Sequence, residues 1–192
     1  MRHSDLGGWL VTLALVLCVN VAGAYERSSN SERPAALNSL MPNAECVGST
    51  RLRFFGLRIY DARLWAEADF NPLAFTEHSF ALELTYHRNF AGSAIAQRSL
   101  KEMRRQGKIE PSMEARWSAE LDALIPDVTP GMLLTGVYHP QHGLQLWRGN
   151  EPIGSSNDVV LAQRFFGIWL STQTSESALR KELIGMEGDS CI

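Results

Sequence analysis

Apolar and polar positions alternate in several segments of the chain, as in strands that bury one face. The stretch "GSTRLRFFGLRIYDARLW" at residues 48–65 holds two such segments with a bend near Gly56. A third, "HSFALELTYHR", keeps its apolar residues on one side, at Phe80, Leu82, Leu84 and Tyr86. Two more strands are predicted in "TPGMLLTGVYHPQHGLQLWRGNEPIG", joined around "HPQHG" and followed by a second turn at Gly149. Such strands are typical of antiparallel sheets with one buried face.

Four other segments have apolar residues at the spacing of amphipathic helices. Residues 92–107, "GSAIAQRSLKEMRRQG", and residues 110–126, "EPSMEARWSAELDALIP", repeat apolar side chains every three or four positions. Two further helices are predicted in "SNDVVLAQRFFGIWL" and "SESALRKELIG", the last one ended by Gly185. The order strands, helices, strands, helices predicts an α+β fold in which an antiparallel sheet is backed by a layer of helices.

The N-terminus has the pattern of a secretory signal peptide. Arg2 precedes an apolar run from Trp9 to Val21, and the small residues Ala22-Gly23-Ala24 follow it. We therefore predict a signal peptide at residues 1–24 and a periplasmic or secreted protein. The run is shorter than the roughly 20 residues of a membrane-spanning helix, and no later stretch approaches that length. An uncleaved N-terminal anchor is the alternative.

Composition predicts three segments after the signal peptide and excludes some classes of partner and cofactor. Residues 25–41 are polar and Ser-rich and predict a flexible lead-in, residues 42–186 one folded domain, and residues 187–192 a C-terminal tail. The net charge of −3 disfavours a general nucleic-acid partner. No Cys-x-x-Cys or His-Glu-x-x-His motif occurs in the sequence, so neither a metal site nor a cofactor is expected.

Two cysteines, Cys46 and Cys191, follow the predicted signal peptide. In an oxidising compartment such a pair can form a disulfide, which here would close a very long loop. The alternative is two unpaired thiols, because Cys191 lies in a terminal segment that can fray.

Three segments, in the same order, resemble the chalcone isomerase-like family, in its exported bacterial branch. They are "GSTRLRFFGLRIYDARLW", "TPGMLLTGVYHPQHGLQLWRGNEPIG" and "FFGIWLSTQTSESALRKELIG", and the resemblance runs from about Val47 to Gly185. It implies an antiparallel sheet backed by helices, with a cleft between them. In plant enzymes of the family this cleft holds flavonoids, and in some noncatalytic relatives it holds fatty acids.

The resemblance also implies site residues. "GSTRL" places Arg51 near the position of the family's catalytic arginine, whereas the family's threonine falls on Phe55, which has no hydroxyl. The tyrosine and asparagine of the family's helix have no match in "RNFAGSAIAQRSLKE". Tyr60 and Tyr86 could line the cleft or belong to the core, and Arg51 could face the cleft or solvent. The ligand-binding residues predicted on this basis are Arg51, Phe55, Tyr60 and Tyr86.

Three hypotheses for function follow. The first is a noncatalytic binding protein whose cleft takes a lipid, a fatty acid or another small apolar ligand, with Arg51 pairing with a carboxylate. The second is an intramolecular lyase or isomerase acting on a chalcone-like or other enone substrate. The third is a structural domain that fills the cleft with its own side chains. The missing hydroxyl at Phe55 favours the first. The sequence indicates neither the ligand nor the oligomeric state.

Overall fold

The computed structural model describes residues 33–187 and Cys191, so the predicted signal peptide lies outside the described residues. Its centre is one six-stranded antiparallel sheet in which the strands lie side by side in chain order. The strands are β1 (Glu45–Phe54), β2 (Leu57–Ala66), β3 (Phe80–Tyr86), β4 (Leu133–His139), β5 (Gly143–Arg148) and β6 (Glu151–Ser156). Strands β1 and β6 therefore form the two edges.

Five α-helices accompany the sheet in the described part of the chain. Helix α1 (Ala35–Leu40) precedes the sheet, α2 (Gly92–Met103) and α3 (Pro111–Leu124) connect β3 to β4, and α4 (Val159–Leu170) and α5 (Ser177–Leu183) follow β6. A turn of 3₁₀ helix extends α2 to Gln106. The predicted α+β class, an antiparallel sheet backed by helices, is confirmed.

The main core lies between one face of the sheet and helices α2 to α5. We call that face of the sheet the inner face. Strand periodicity decides which side chains reach it: Leu82 and Leu84 on β3 point into the core, while Ala81 and Glu83, which alternate with them, point to the opposite face. The largest fully buried side chains of this core include Trp117, Tyr138, Phe80, Phe166, Leu64 and Leu121.

Helix α1 covers part of the opposite, outer face of the sheet. Its residues Ala36 and Leu37 are fully buried and belong to a second apolar cluster with Trp65, Ala81 and Val137. The prediction of a flexible lead-in through residue 41 is therefore wrong for residues 35–41. Ala36, Leu37 and Met41 are spaced so that one side of a short helix is apolar, a signal that the neighbouring serines obscured.

The C-terminal end of the chain returns to strand β1. Helix α5 packs on β1, and a disulfide joins Cys46 on β1 to Cys191, with their Cα atoms 5.9 Å apart. Thr50 on β1 also donates a hydrogen bond to the carboxylate of Glu182 on α5. These contacts hold an edge strand against the last helix.

Between residues 33 and 187, no helix is both long enough and apolar enough to cross a bilayer.

Candidate functional site

A cavity of about 370 Å³ lies between the inner face of the sheet and helices α2, α4 and α5. The sheet contributes Leu52, Ile59, Tyr60, Leu82, Leu84, Tyr86, Leu134, Gly136 and Leu146 to its wall. Helices and loops contribute further apolar side chains, among them Phe90, Ile95, Ile125, Phe165, Ile168, Trp169 and Leu179. The cavity is partly open and mostly apolar, and its volume is within the usual range for small-molecule sites.

Two tyrosines place hydroxyl groups on this apolar wall. Tyr60 on β2 is the cross-strand partner of Tyr86 on β3, and their ring centroids are 5.9 Å apart in an edge-to-face arrangement. The indole Nε1 of Trp169, on α4, donates a hydrogen bond of 2.9 Å to the Tyr60 hydroxyl oxygen. Because that oxygen is already an acceptor, the phenolic proton of Tyr60 is oriented away from Trp169 and can be donated to a ligand.

Burial fixes the protonation state of both phenols. It raises the pKa of Tyr60 well above its ordinary value, although the hydrogen bond from Trp169 acts in the opposite direction. Burial likewise raises the pKa of Tyr86. At neutral pH both side chains are therefore uncharged hydrogen-bond donors, suited to a carbonyl or carboxylate oxygen.

One part of the cavity wall is charged. The carboxylate of Glu102 on α2 is buried and accepts a hydrogen bond from Ser175 Oγ at 2.9 Å. It also forms ion pairs with Arg98 Nη2 and Arg105 Nε, each at 2.9 Å. Arg98 and Glu102 both line the cavity, together with Glu176. Arg98 lies close enough for its charge to oppose the rise in the Tyr60 pKa. The apolar space is thus bordered by one arginine, ion-paired with Glu102, and by a second acidic residue, Glu176.

Sequence reasoning missed Arg98 and Glu102. The signal that could have found them is the helical spacing of Ile95, Arg98 and Glu102, which puts two opposite charges on the same face as an apolar residue. A salt bridge between residues i and i+4 usually lies in solvent. Here the face also borders the cavity.

Arg51 does not face the cavity. Its guanidinium bonds to the carboxylate of Asp61, the residue opposite it on β2, including Nη2 to Oδ2 at 2.8 Å. His87 Nε2 lies 3.0 Å from the same carboxylate. The adjacent Leu52 lines the cavity, so strand alternation directs Arg51 to the outer face. This corrects the prediction that Arg51 faces the cleft.

The Asp61 carboxylate is the counter-ion for Arg51. Partial burial alone would raise its pKa, but the hydrogen bonds from Arg51 and His87 outweigh burial and hold the pKa of Asp61 below its ordinary value. Arg51 is therefore fully paired on the outer face.

Phe55 also lies outside the cavity. It occupies the two-residue turn between β1 and β2, where its side chain is 90% exposed. The positions inferred from the family motif are thus out of register with the cavity, whose wall is formed in this hairpin by Leu52, Ile59 and Tyr60 instead. Of the four predicted ligand-binding residues, Tyr60 and Tyr86 lie on the cavity wall, and contact with a ligand stays a prediction for them.

Comparison with known proteins supports the fold. No family model matches the chain, and no curated protein matches it. A crystal structure of a fatty-acid binding protein from Arabidopsis thaliana superposes with a TM-score of 0.59 at 11% sequence identity, over 74% of this chain and 87% of that chain. That protein has the chalcone isomerase-like fold. The likeness confirms this fold for the present chain.

Proposed function

We propose that this protein is a noncatalytic member of the chalcone isomerase-like family that binds a fatty acid, or a lipid of similar shape, in the cavity. The observation that carries the proposal is the mostly apolar cavity with a few polar groups converging on it. The similar Arabidopsis protein is a fatty-acid binding protein, which supports this class of ligand.

The cavity suggests how such a ligand is oriented. Its hydrocarbon part lies among Leu82, Leu134 and Phe165, where burial of apolar surface provides the binding free energy. Its oxygen atoms accept from the hydroxyls of Tyr60 and Tyr86. Arg98 adds a favourable charge for a carboxylate, weakened by its pairing with Glu102.

The isomerase hypothesis is less well supported. Cyclisation of a chalcone needs several preorganised donors around the developing enolate oxygen. Arg51 and Phe55, which the resemblance aligned with catalytic positions, lie on the outer face and in a turn. The phenols of Tyr60 and Tyr86 can donate hydrogen bonds to a ligand oxygen atom. Arg51, which the resemblance places at the position of the catalytic arginine, does not line the cavity.

Export belongs to the same proposal. We propose that residues 1–24 direct the chain to the periplasm or the medium and are removed, on the basis of the Ala22-Gly23-Ala24 sequence. The disulfide between Cys46 and Cys191 is compatible with an oxidising compartment. N-terminal sequencing of the exported protein should begin at Tyr25, and a full-length form retaining Met1 in membranes would contradict export.

Ligand binding is tested by displacement of a fluorescent fatty-acid analogue from the purified protein by oleate. Tyr60→Phe should weaken oleate binding by about fivefold to tenfold, the effect of one lost hydrogen bond. Tyr138→Phe is the matched control, because Tyr138 is a buried phenol that bonds to the Thr76 carbonyl at 2.9 Å. No displaceable binding in the wild type would refute the proposal, and equal affinity in Tyr60→Phe would refute the assigned orientation.

A further inference from the structure

The turn between β1 and β2 exposes a group of apolar side chains. We call residues 53–58, "RFFGLR", the hairpin tip. Phe54 is 61% exposed, Phe55 90% and Leu57 48%, and the rings of Phe54 and Phe55 are in contact with centroids 4.5 Å apart. A single exposed apolar residue is ordinary, but adjacent ones that form a patch mark an interaction site.

The first turn residue of the hairpin tip, Phe55, is not one that a stable hairpin turn favours. Phe55 has a φ of 48° and Gly56 a φ of 78°, the backbone of a tight hairpin turn in which asparagine is preferred at the first position. A phenylalanine there costs backbone energy without any buried contact in return. The identity of residue 55 is therefore better explained by contact with something outside the domain.

Two arginines flank the phenylalanines. Arg53 and Arg58 are direct cross-strand partners, and both are exposed. Like charges placed opposite each other destabilise a sheet. Within the part of the chain that the structure describes, neither arginine forms an ion pair. The tip thus carries exposed aromatic rings between two unneutralised cations.

The hairpin tip lies next to the cavity. Leu52 and Ile59 line the cavity wall, and each is two residues from an exposed apolar side chain of the tip, Phe54 or Leu57. The apolar surface therefore continues along the hairpin from the cavity to its outermost residues.

We propose that the hairpin tip docks on a lipid membrane surface that carries anionic headgroups. Phe54 and Phe55 enter the boundary between headgroups and acyl chains, where aromatic and apolar side chains are favourable. Arg53 and Arg58 meet the phosphates, and an anionic surface relieves their mutual repulsion. Membrane contact at this position brings the open cavity close to its source of apolar ligand. Docking itself does not depend on the proposed ligand.

A second copy of this chain is a less favourable occupant. β1 is an edge strand and could in principle pair with another β1. Such a contact would bring the exposed Arg53 and Arg58 of one copy near those of the other. An anionic lipid surface fits this charge, whereas an identical strand repels it.

Sedimentation with lipid vesicles tests the proposal. The wild-type protein should bind vesicles of phosphatidylcholine and phosphatidylglycerol and bind pure phosphatidylcholine much less. Phe55→Asn should lower the partition coefficient by about tenfold, since one phenylalanine side chain leaves the interface. Asparagine tolerates a positive φ and is preferred before glycine in this turn, so the variant should fold at least as stably as the wild type.

Two further variants separate the contributions. Arg53→Gln combined with Arg58→Gln should abolish the preference for phosphatidylglycerol and the dependence on salt. Leu73→Ser is the matched control: Leu73 is 80% exposed, but it lies in the loop after β2, at the far end of that strand from the tip. It should bind vesicles like the wild type.

Three results would overturn the proposal. The first is failure of the wild type to bind the anionic vesicles, and the second is equal vesicle binding by Phe55→Asn and the wild type. The third is a concentration-dependent dimer in sedimentation velocity that Phe55→Asn disperses, which would assign the tip to a second copy. Oleate affinity in solution should be the same for Phe55→Asn and the wild type. If the wild type binds vesicles but does not bind oleate, the proposed ligand-binding function is contradicted and the membrane-docking proposal is not.

Discussion

Gly48 lets the backbone of helix α5 lie directly against strand β1. A Cβ atom at this position would lie 2.4 Å from the carbonyl oxygen of Glu182 and 2.6 Å from that of Leu183. Both neighbours are backbone atoms, so no side-chain rotation could relieve the contact. The closeness of β1 and α5 thus depends on the absence of one methyl group.

Gly48→Ala should therefore lower the free energy of unfolding by about 1–3 kcal/mol, the usual cost of overpacking. The physical reason is that α5 must shift away from β1. Urea unfolding followed by circular dichroism measures the loss. Ser49→Ala, at the next residue of the same strand, is the control and should change stability by less than about 0.5 kcal/mol. Equal stability of Gly48→Ala and the wild type would show that α5 is not held tightly.

For single residues, the sequence predicts which side chains alternate between the two faces of a strand, but not which of them line the cavity. Tyr60 and Tyr86 follow from strand periodicity, and both lie on the cavity wall. The position of Arg51 depends on the register of β1, which has irregularities after Cys46 and after Leu52 that no periodicity reveals. The same register decides which residue matches the family's threonine, and in the structure Phe55 at that position lies exposed in the turn.

Asp158 shows how one side chain can connect two elements. It is the N-cap of α4, where its Oδ1 accepts from the backbone N–H of Leu161 at 2.9 Å. Its Oδ2 accepts from Trp117 Nε1 and Arg116 Nη2 on α3, each at 2.8 Å. Partial burial alone would raise the pKa of Asp158, but these hydrogen bonds outweigh it and hold the pKa below its ordinary value.

The lowered pKa predicts a pH dependence of stability. Below the ordinary aspartate pKa of about 3.9, the unfolded chain binds a proton at Asp158 that the folded chain does not. The stabilisation by the carboxylate is therefore complete above that pH and decreases as the pH falls through the lower folded pKa. Urea unfolding between about pH 6 and pH 2 should show a smaller decrease for Asp158→Asn than for the wild type. Parallel curves for the two proteins would contradict the assignment.

Elements differ in how well their sequences predict them. Helices α2 and α3 lie within the predicted ranges, because their apolar residues repeat over three turns and end at glycine or proline. Helix α1 has six residues and stands after a Ser-rich stretch, so periodicity gave too little signal. Contact with Trp65 and Val137 from distant strands stabilises it.

The cavity wall does not include Arg51 or Phe55, the residues that the resemblance aligned with catalytic positions of the isomerases. We expect no turnover of 2′-hydroxychalcone above the spontaneous rate, because each missing oxyanion donor costs about a hundredfold or more. Absorbance of the chalcone measures the rate. Tyr60→Phe and Arg51→Ala should both leave it at background. Enzymatic turnover that Tyr60→Phe abolishes would instead favour the isomerase hypothesis.

The disulfide should contribute to stability on the scale of the whole chain. Cys46 and Cys191 are separated by 145 residues, so the bond restricts a very long loop in the unfolded state. Reduction by dithiothreitol should lower the free energy of unfolding by about 2–5 kcal/mol. A Cys46→Ser, Cys191→Ser protein is the control and should be insensitive to the reductant. A wild type whose stability does not respond to reduction would contradict this expectation.

The same separation imposes an order on biosynthesis. Synthesis runs from the N-terminus, so Cys46 leaves the ribosome long before Cys191, which follows it by 145 residues. The bond can therefore form only after strands β2 to β6 and helices α2 to α5, which lie between the two cysteines, have been synthesised. Until then Cys46 presents its thiol on an edge strand, where an oxidase or isomerase can react with it before its native partner exists.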